Sequence, residues 1–144
     1  MIYMENGEFK NKLVRTSSKD GLRMDSLTTI IDNIPSTNMS HQVQMPSIGF
    51  DGKLYLNVGD GTVSDSAQDD RDLRGKVLRL NLDGSIPTDN PIPGSPVFAK
   101  GFRNTIQILN AFGKLIIALL CPDRQRQPLV RLDAELLLEA VCKA

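Results

Sequence analysis

Two stretches of this chain alternate apolar and polar residues with a period of two, and each abuts an Asp-Gly dipeptide. Leu54, Leu56 and Val58 alternate with Lys53, Tyr55 and Asn57, and Asp51-Gly52 precedes them. Leu78, Leu80 and Leu82 alternate with Val77, Arg79 and Asn81, and Asp83-Gly84 follows. Alternation of this kind puts one set of side chains on each face of a strand. Asp-Gly suits a tight hairpin turn because Gly tolerates positive φ. Residues 43–50 are the expected partner ahead of the first turn, weakened by Pro46, which has no N–H to give a ladder. Residues 12–16 and 27–31 read as shorter strands. Residues 60–74 read as a polar loop, and 87–96, with four Pro, as another. Short strands, frequent turn signals and no helical period predict an antiparallel all-β fold for this part of the chain.

The pattern stops near residue 104. The first 104 residues hold 10 of the 11 Gly and 6 of the 8 Pro; the last 40 hold 9 of the 18 Leu, both Cys and one Gly. A shift of this kind marks a boundary and divides the chain into residues 1–104 and 105–144. In the tail, residues 113–120 (GKLIIALL) read as a buried strand. Residues 133–143 read as a helix, with Leu132, Leu136, Leu137, Ala140 and Val141 on one face. Acidic Asp133, Glu135 and Glu139 precede Lys143, the order that suits the helix dipole.

Charge points to no polyanionic partner: 17 Lys and Arg balance 17 Asp and Glu, so bulk charge draws the chain to neither nucleic acid nor an anionic membrane. No run of 18 apolar residues offers a membrane span. The first twelve residues lack the apolar stretch of a signal peptide, which implies a cytoplasmic protein or a missing true start. Cys121 and Cys142 form no disulfide framework and read as free thiols. With one His and no Cys pair at ligand spacing there is no zinc signature.

The lone imidazole, His41, stands where a strand is expected to begin. Asp60 follows the next strand in Val58-Gly59-Asp60-Gly61. If the turn at 51–52 folds these strands back, His41 and Asp60 share one rim of the sheet. A carboxylate beside an imidazole orients the ring and favours its protonated form, which is half of a general-base device. The loop from 60 to 72 carries Asp60, Asp65, Asp69, Asp70 and Asp72 without the spacing of an EF-hand, and Arg71 and Arg74 interrupt it. Asp65, Asp69 and Asp70 therefore read as a solvated loop, with calcium the lesser reading. Arg103-Asn104, at a strand end, could meet an anion bidentately.

Taken in order, His41, DGKLYLNVGDG (51–61), AQD (67–69), LRGKVLRLNLDGSIPTDNP (73–91) and GFRN (101–104) resemble the glucose/sorbosone dehydrogenase family, the soluble quinoprotein sugar dehydrogenases. The resemblance runs over about residues 12–104 and is strongest from His41 to Asn104. It implies part of a six-bladed β-propeller, about two blades of antiparallel strands, with the C-terminal helical tail as an addition. It implies pyrroloquinoline quinone (PQQ) and calcium as cofactors, a sugar as substrate, and a periplasmic or extracellular setting. By the same resemblance His41 is the base that takes a hydroxyl proton as hydride passes from the sugar's anomeric carbon to the quinone. Asp60 then holds and polarises His41, and Arg103 and Asn104 lie on the quinone, where Arg stabilises charge at the reduced carbonyl.

The chain departs from the family pattern in two places. Gln42-Val43-Gln44-Met45-Pro46 replaces a Gly-rich segment after the His, and Thr105-Ile106-Gln107-Ile108 replaces the usual continuation. The residues that would ligate calcium and the basic residues that grip the quinone's carboxylates are not found, so no metal-ligand set is assigned. A blade takes roughly 40–45 residues and a ring at least four blades. The expectation is an incomplete propeller, unstable and inactive by itself, with a tail from a frameshift or gene-model error. A non-catalytic propeller binding module is the alternative, since fold does not fix function.

Overall fold

A computed structural model describes residues 1–37, 40–111, 114–121 and 137–140, the last part from residue 105 as backbone course only. The regular elements among the described residues are strands apart from one 3-10 turn, joined by turns and loops. Three strands, β1 (Ile2–Glu5), β2 (Glu8–Ser17) and β3 (Ser26–Ser36), form an antiparallel meander. Four more, β4 (Ser47–Ile48), β5 (Leu54–Val58), β6 (Lys76–Leu80) and β7 (Val97–Lys100), form a second antiparallel sheet in sequence order. A third holds β8 (Asn104–Ala111), β9 (Lys114–Cys121) and β10 (Leu137–Ala140).

The alternation seen in the sequence sets the packing. Leu56, Val58, Leu78 and Val97 from the second sheet close over Ile34 from β3, all at 2% exposure or less. Leu54, Leu80 and Ile30 form a smaller cluster beside them. Removing this apolar surface from water welds the first two sheets face to face. Every residue of β5 and of β6 is buried, polar ones included, so the two central strands of the second sheet are covered on both faces.

Some expectations needed correction. Residues 43–50 do not form one strand: Pro46 interrupts the ladder, leaving the two-residue β4 and an isolated bridge between Val43 and Val58. Strands expected over 12–16 and 27–31 are longer, as β2 and β3. Leu82 falls beyond β6 and is half exposed. The helix expected over 133–143 does not form where the structure describes it: Leu137–Ala140 is a strand, paired parallel to β9 from Leu137↔Ile116 to Ala140↔Leu119. The free edge of β9 satisfies the backbone groups of this apolar run without a helix. The remainder of that expected helix, and Cys142, lie outside the described residues. The strand expected over 113–120 is present as β9.

Candidate active site

Antiparallel order brings the end of β5, the start of β6 and the end of β7 to one rim, since Val58 pairs with Lys76 and Lys76 with Lys100. The chain leaving β5 turns through Gly59-Asp60-Gly61 there. The Val43–Val58 bridge and the hydrogen bond from Gly59 N–H to the Gln42 carbonyl (3.3 Å) draw the 41–43 segment to the same rim. His41 and Asp60, nineteen residues apart in sequence, meet with His41 Nδ1 2.6 Å from Asp60 Oδ1. Asp60 is 4% exposed at its side chain and His41 20%.

The same Asp60 oxygen also accepts the Thr62 N–H at 2.8 Å. His41 and Thr62 both have positive φ, +52° and +70°, sparsely populated for a non-glycine and most costly for β-branched Thr62. Both strained residues thus converge on one carboxylate oxygen. With an Nδ1–H donated to the Asp60 carboxylate, Nε2 of the neutral ring is the nitrogen that keeps a lone pair for a proton.

Arg103 joins this pair through the backbone: the Asp60 N–H donates to the Arg103 carbonyl at 2.9 Å. Arg103 is itself exposed, and with Asp60, Ser64, Gln68 and Phe102 it lines a small cleft. Asn104, where β8 begins, buries its Oδ1 with no hydrogen-bond partner. The four residues singled out in the sequence therefore occur at one rim, with His41 and Asp60 in direct contact and Arg103 held by its main chain. No group of three or more His, Cys, Asp or Glu among the described residues could hold a metal ion. In the acidic loop Asp72 pairs with Arg74 and Asp70 with Lys100, 2.5 and 2.6 Å, while Ser64–Gln68 forms the 3-10 turn η1.

Sequence reading missed two supports of the rim. Gly75, at φ +66°, sits where an added Cβ would meet Ala67 and come within 2.7 Å of the Phe102 carbonyl. Lys76, fully buried, gives its ammonium to three carbonyls. Both stand inside the GKVLRLNLDG run, but their role is visible only where the loop meets the start of β6. The rest of that run is structural. Arg79 forks onto Asp89 at 2.8 and 3.0 Å and reaches Asp51 at 2.9 Å, while the Asn90 amide caps the Arg79 and Ser95 carbonyls. This network lies toward the end of the sheet away from His41.

A three-stranded and a four-stranded antiparallel sheet packed together, with a polar constellation on one rim, define a propeller-type scaffold. The chain belongs to the glucose/sorbosone dehydrogenase family, whose model matches residues 1–115, and it forms part of a six-bladed β-propeller of that type. Quinoprotein glucose dehydrogenase B of Acinetobacter calcoaceticus is 32% identical over 111 residues, covering 62% of this chain and 23% of that protein. The PQQ-bound aldose sugar dehydrogenase of Streptomyces coelicolor superposes with a TM-score of 0.60 at 28% identity, over 72% of this chain and 31% of that one. A putative oxidoreductase (glucose dehydrogenase) from Thermus thermophilus gives 0.62 at 28% identity, over 74% and 34%. The chain thus spans about a quarter to a third of the length of these relatives. Among the described residues no helix is long and apolar enough to cross a membrane.

Proposed function

We propose that these residues form the base-bearing rim of a quinoprotein sugar dehydrogenase that oxidises the anomeric carbon of an aldose. The observation that carries the reading is the 2.6 Å contact between His41 Nδ1 and the buried Asp60 carboxylate, beside an exposed Arg on the same rim. Asp60 fixes the ring with Nε2 free to take a proton. His41 Nε2 removes the anomeric hydroxyl proton as the carbon–hydrogen bond breaks, its electron pair leaving as hydride, and the carbonyl of the lactone forms. PQQ, when bound, supplies the hydride acceptor. The donor set suits such a group: Arg103, exposed at the rim, offers a charged fork to a carbonyl or carboxylate, and the next residue, Asn104, has an amide NH2 of the kind that donates to such an oxygen.

Calcium enters this reading by resemblance alone, and no residue of this chain is assigned to it. A periplasmic or extracellular setting enters in the same way. We assign negligible turnover to these 144 residues without the remaining blades, because the reading needs quinone-binding and calcium-binding groups that this chain has not been assigned.

The test is PQQ binding followed by fluorescence quenching, with and without calcium; dye reduction with an aldose is expected to stay negligible. Quinone binding that Arg103→Ala weakens, with His41→Ala leaving binding intact, supports the reading. Absence of PQQ binding under all conditions withdraws the quinone-binding roles of Arg103 and Asn104, leaves family membership alone and favours the non-catalytic binding module.

A further inference from the structure

Lys76 opens β6 with its side chain wholly buried. Its ammonium donates to the carbonyls of Ser66 (2.7 Å), Arg74 (2.8 Å) and Ala67 (3.1 Å). Three donors meet three acceptors, so the charge is satisfied by neutral oxygens without a carboxylate at hydrogen-bond distance. Those carbonyls belong to the middle, at η1, and to the far end of the loop that begins at Asp60.

The bonds around this ammonium lead to both sides of the site. Ala67 O also accepts the Gly101 N–H at 3.0 Å, two residues before Arg103. The Ser66 hydroxyl donates to Val63 O at 2.6 Å, and Val63 N–H donates to Asp60 O at 2.9 Å. Gly75 O accepts the N–H groups of Gly101 and Phe102, both at 3.1 Å, and Gly75 N–H returns to Gly59 O at 3.0 Å. A single buried cation therefore ties the Asp60 loop to the Gly101–Arg103 segment.

We infer that Lys76 is the positioning residue of the site: its ammonium clamps η1 and the Arg74 carbonyl onto β6 and so holds Asp60 in register with His41 and Arg103. It touches neither substrate nor quinone and acts through Asp60. The inference rests on the dehydrogenase reading for its catalytic meaning, while its geometry can be tested without turnover. Burial pushes the Lys76 ammonium down to about 8, opposed by Asp72, Asp70 and Asp69 and reinforced by Lys100 on β7. Above that value the neutral amine has two donors for three carbonyls, and one of them must be released.

His41 is the only histidine of the chain, so its ring nitrogens are unique in a nitrogen-15 NMR spectrum. In the unaltered chain, with the ring neutral, the Nδ1–H tautomer is expected to dominate. Lys76→Met should lose that dominance while the core methyl signals of Leu56 and Leu78 keep their positions. A folded Lys76→Met chain that retains the Nδ1–H tautomer overturns the inference. If the variant does not fold, raising the pH of the unaltered chain replaces it. The amides of Asp60, Ala67 and Gly101 should then shift with the midpoint of the Lys76 side chain's own signal, and their failure to follow it overturns the inference. Failure of quinone binding with these shifts present would instead reject the dehydrogenase reading and leave the clamp standing.

Discussion

Gly59 lies against the backbone of His41: a Cβ built on Gly59 would come within 2.9 Å of the His41 Cα and closer still to its carbonyl. Gly61 N–H in turn donates to the His41 carbonyl at 3.3 Å. The absence of a side chain at Gly59 is what lets the strand exit approach closely enough for Asp60 to reach the imidazole. Gly59→Ala should displace His41, break the Nδ1–Oδ1 contact and cost about 1–3 kcal/mol, the usual penalty of overpacking a tight site. A thermal melt and the His41 tautomer read by NMR check both parts. An unchanged tautomer would show that the close approach is not what sets the pair.

Arg79 offers a contrast, because its network is remote from the rim. Hydrogen bonding to Asp89 and then to Asp51, against the opposing effect of burial, raises its basicity. Arg79→Met should lower the melting temperature and leave the His41 signals where they are. The loss should be smaller than the roughly 3–5 kcal/mol of breaking a fully enclosed ion pair, since Asp89 is 68% exposed and can return to water. Comparison with Gly59→Ala separates the stability of the blade from the geometry of the site.

Acid should weaken the fold through Asp72 and Asp51. Burial pushes the Asp72 carboxyl up, but the Arg74 guanidinium and N–H outweigh it and hold the group below its ordinary value of 3.8. Asp51 behaves alike: burial raises it, and the Lys53 N–H, Arg79 and Tyr55 together lower it further. A carboxylate depressed by folding contributes stability that is complete above its unfolded value and is lost as pH falls through the folded one. Asp72→Asn should therefore reduce stability at neutral pH and flatten its dependence below pH 3.8, measured by urea unfolding at a series of pH values.

Alkali acts in the opposite sense through Lys76. Its folded value of about 8 lies below the ordinary 10.5, so between these pH values the unfolded chain binds more protons than the folded one. Stability contributed by this group then rises with pH across that window. Lys76→Met should remove the rise, which unfolding curves at about pH 7.5 and about pH 10 would detect. Local release of the loop is thus expected without global loosening, and the two are read by different probes.

Asn57 is fully buried within β5, and neither end of its side-chain amide has a hydrogen-bond partner. Burying an unpaired amide costs about 1–3 kcal/mol, and a β-branched apolar residue fits an enclosed strand better. Asn57→Val should raise the melting temperature. A lower one would mean that Asn57 serves an interaction worth more than this cost.

Much of the fold was legible because its signals are local. The alternation of Leu54, Leu56 and Val58 and the Asp51-Gly52 turn need only a few neighbouring residues to be read, and β5 and its turn stand where they were expected. Asn6-Gly7 carries an equally strong hairpin signal, with both residues at positive φ. The turn joins β1 to β2, a hairpin that lies ahead of the strands expected from the alternation. In the tail, Leu137–Ala140 suits either a helix face or a strand, and its choice depends on the free edge of β9 rather than on its own periodicity.

Residue type and spacing alone carry the all-β class, the family resemblance and the identity of the polar residues at the rim. How those residues engage one another follows from long-range packing. The contact of His41 with Asp60 depends on the clearance at Gly59. The link from Asp60 to Arg103 is made by main-chain atoms, which carry no sequence signature. The role of Lys76 arises where carbonyls of the loop that left the sheet at Asp60 meet its ammonium at the start of β6. Long-range packing brings such groups together, and periodicity along the chain holds no record of it.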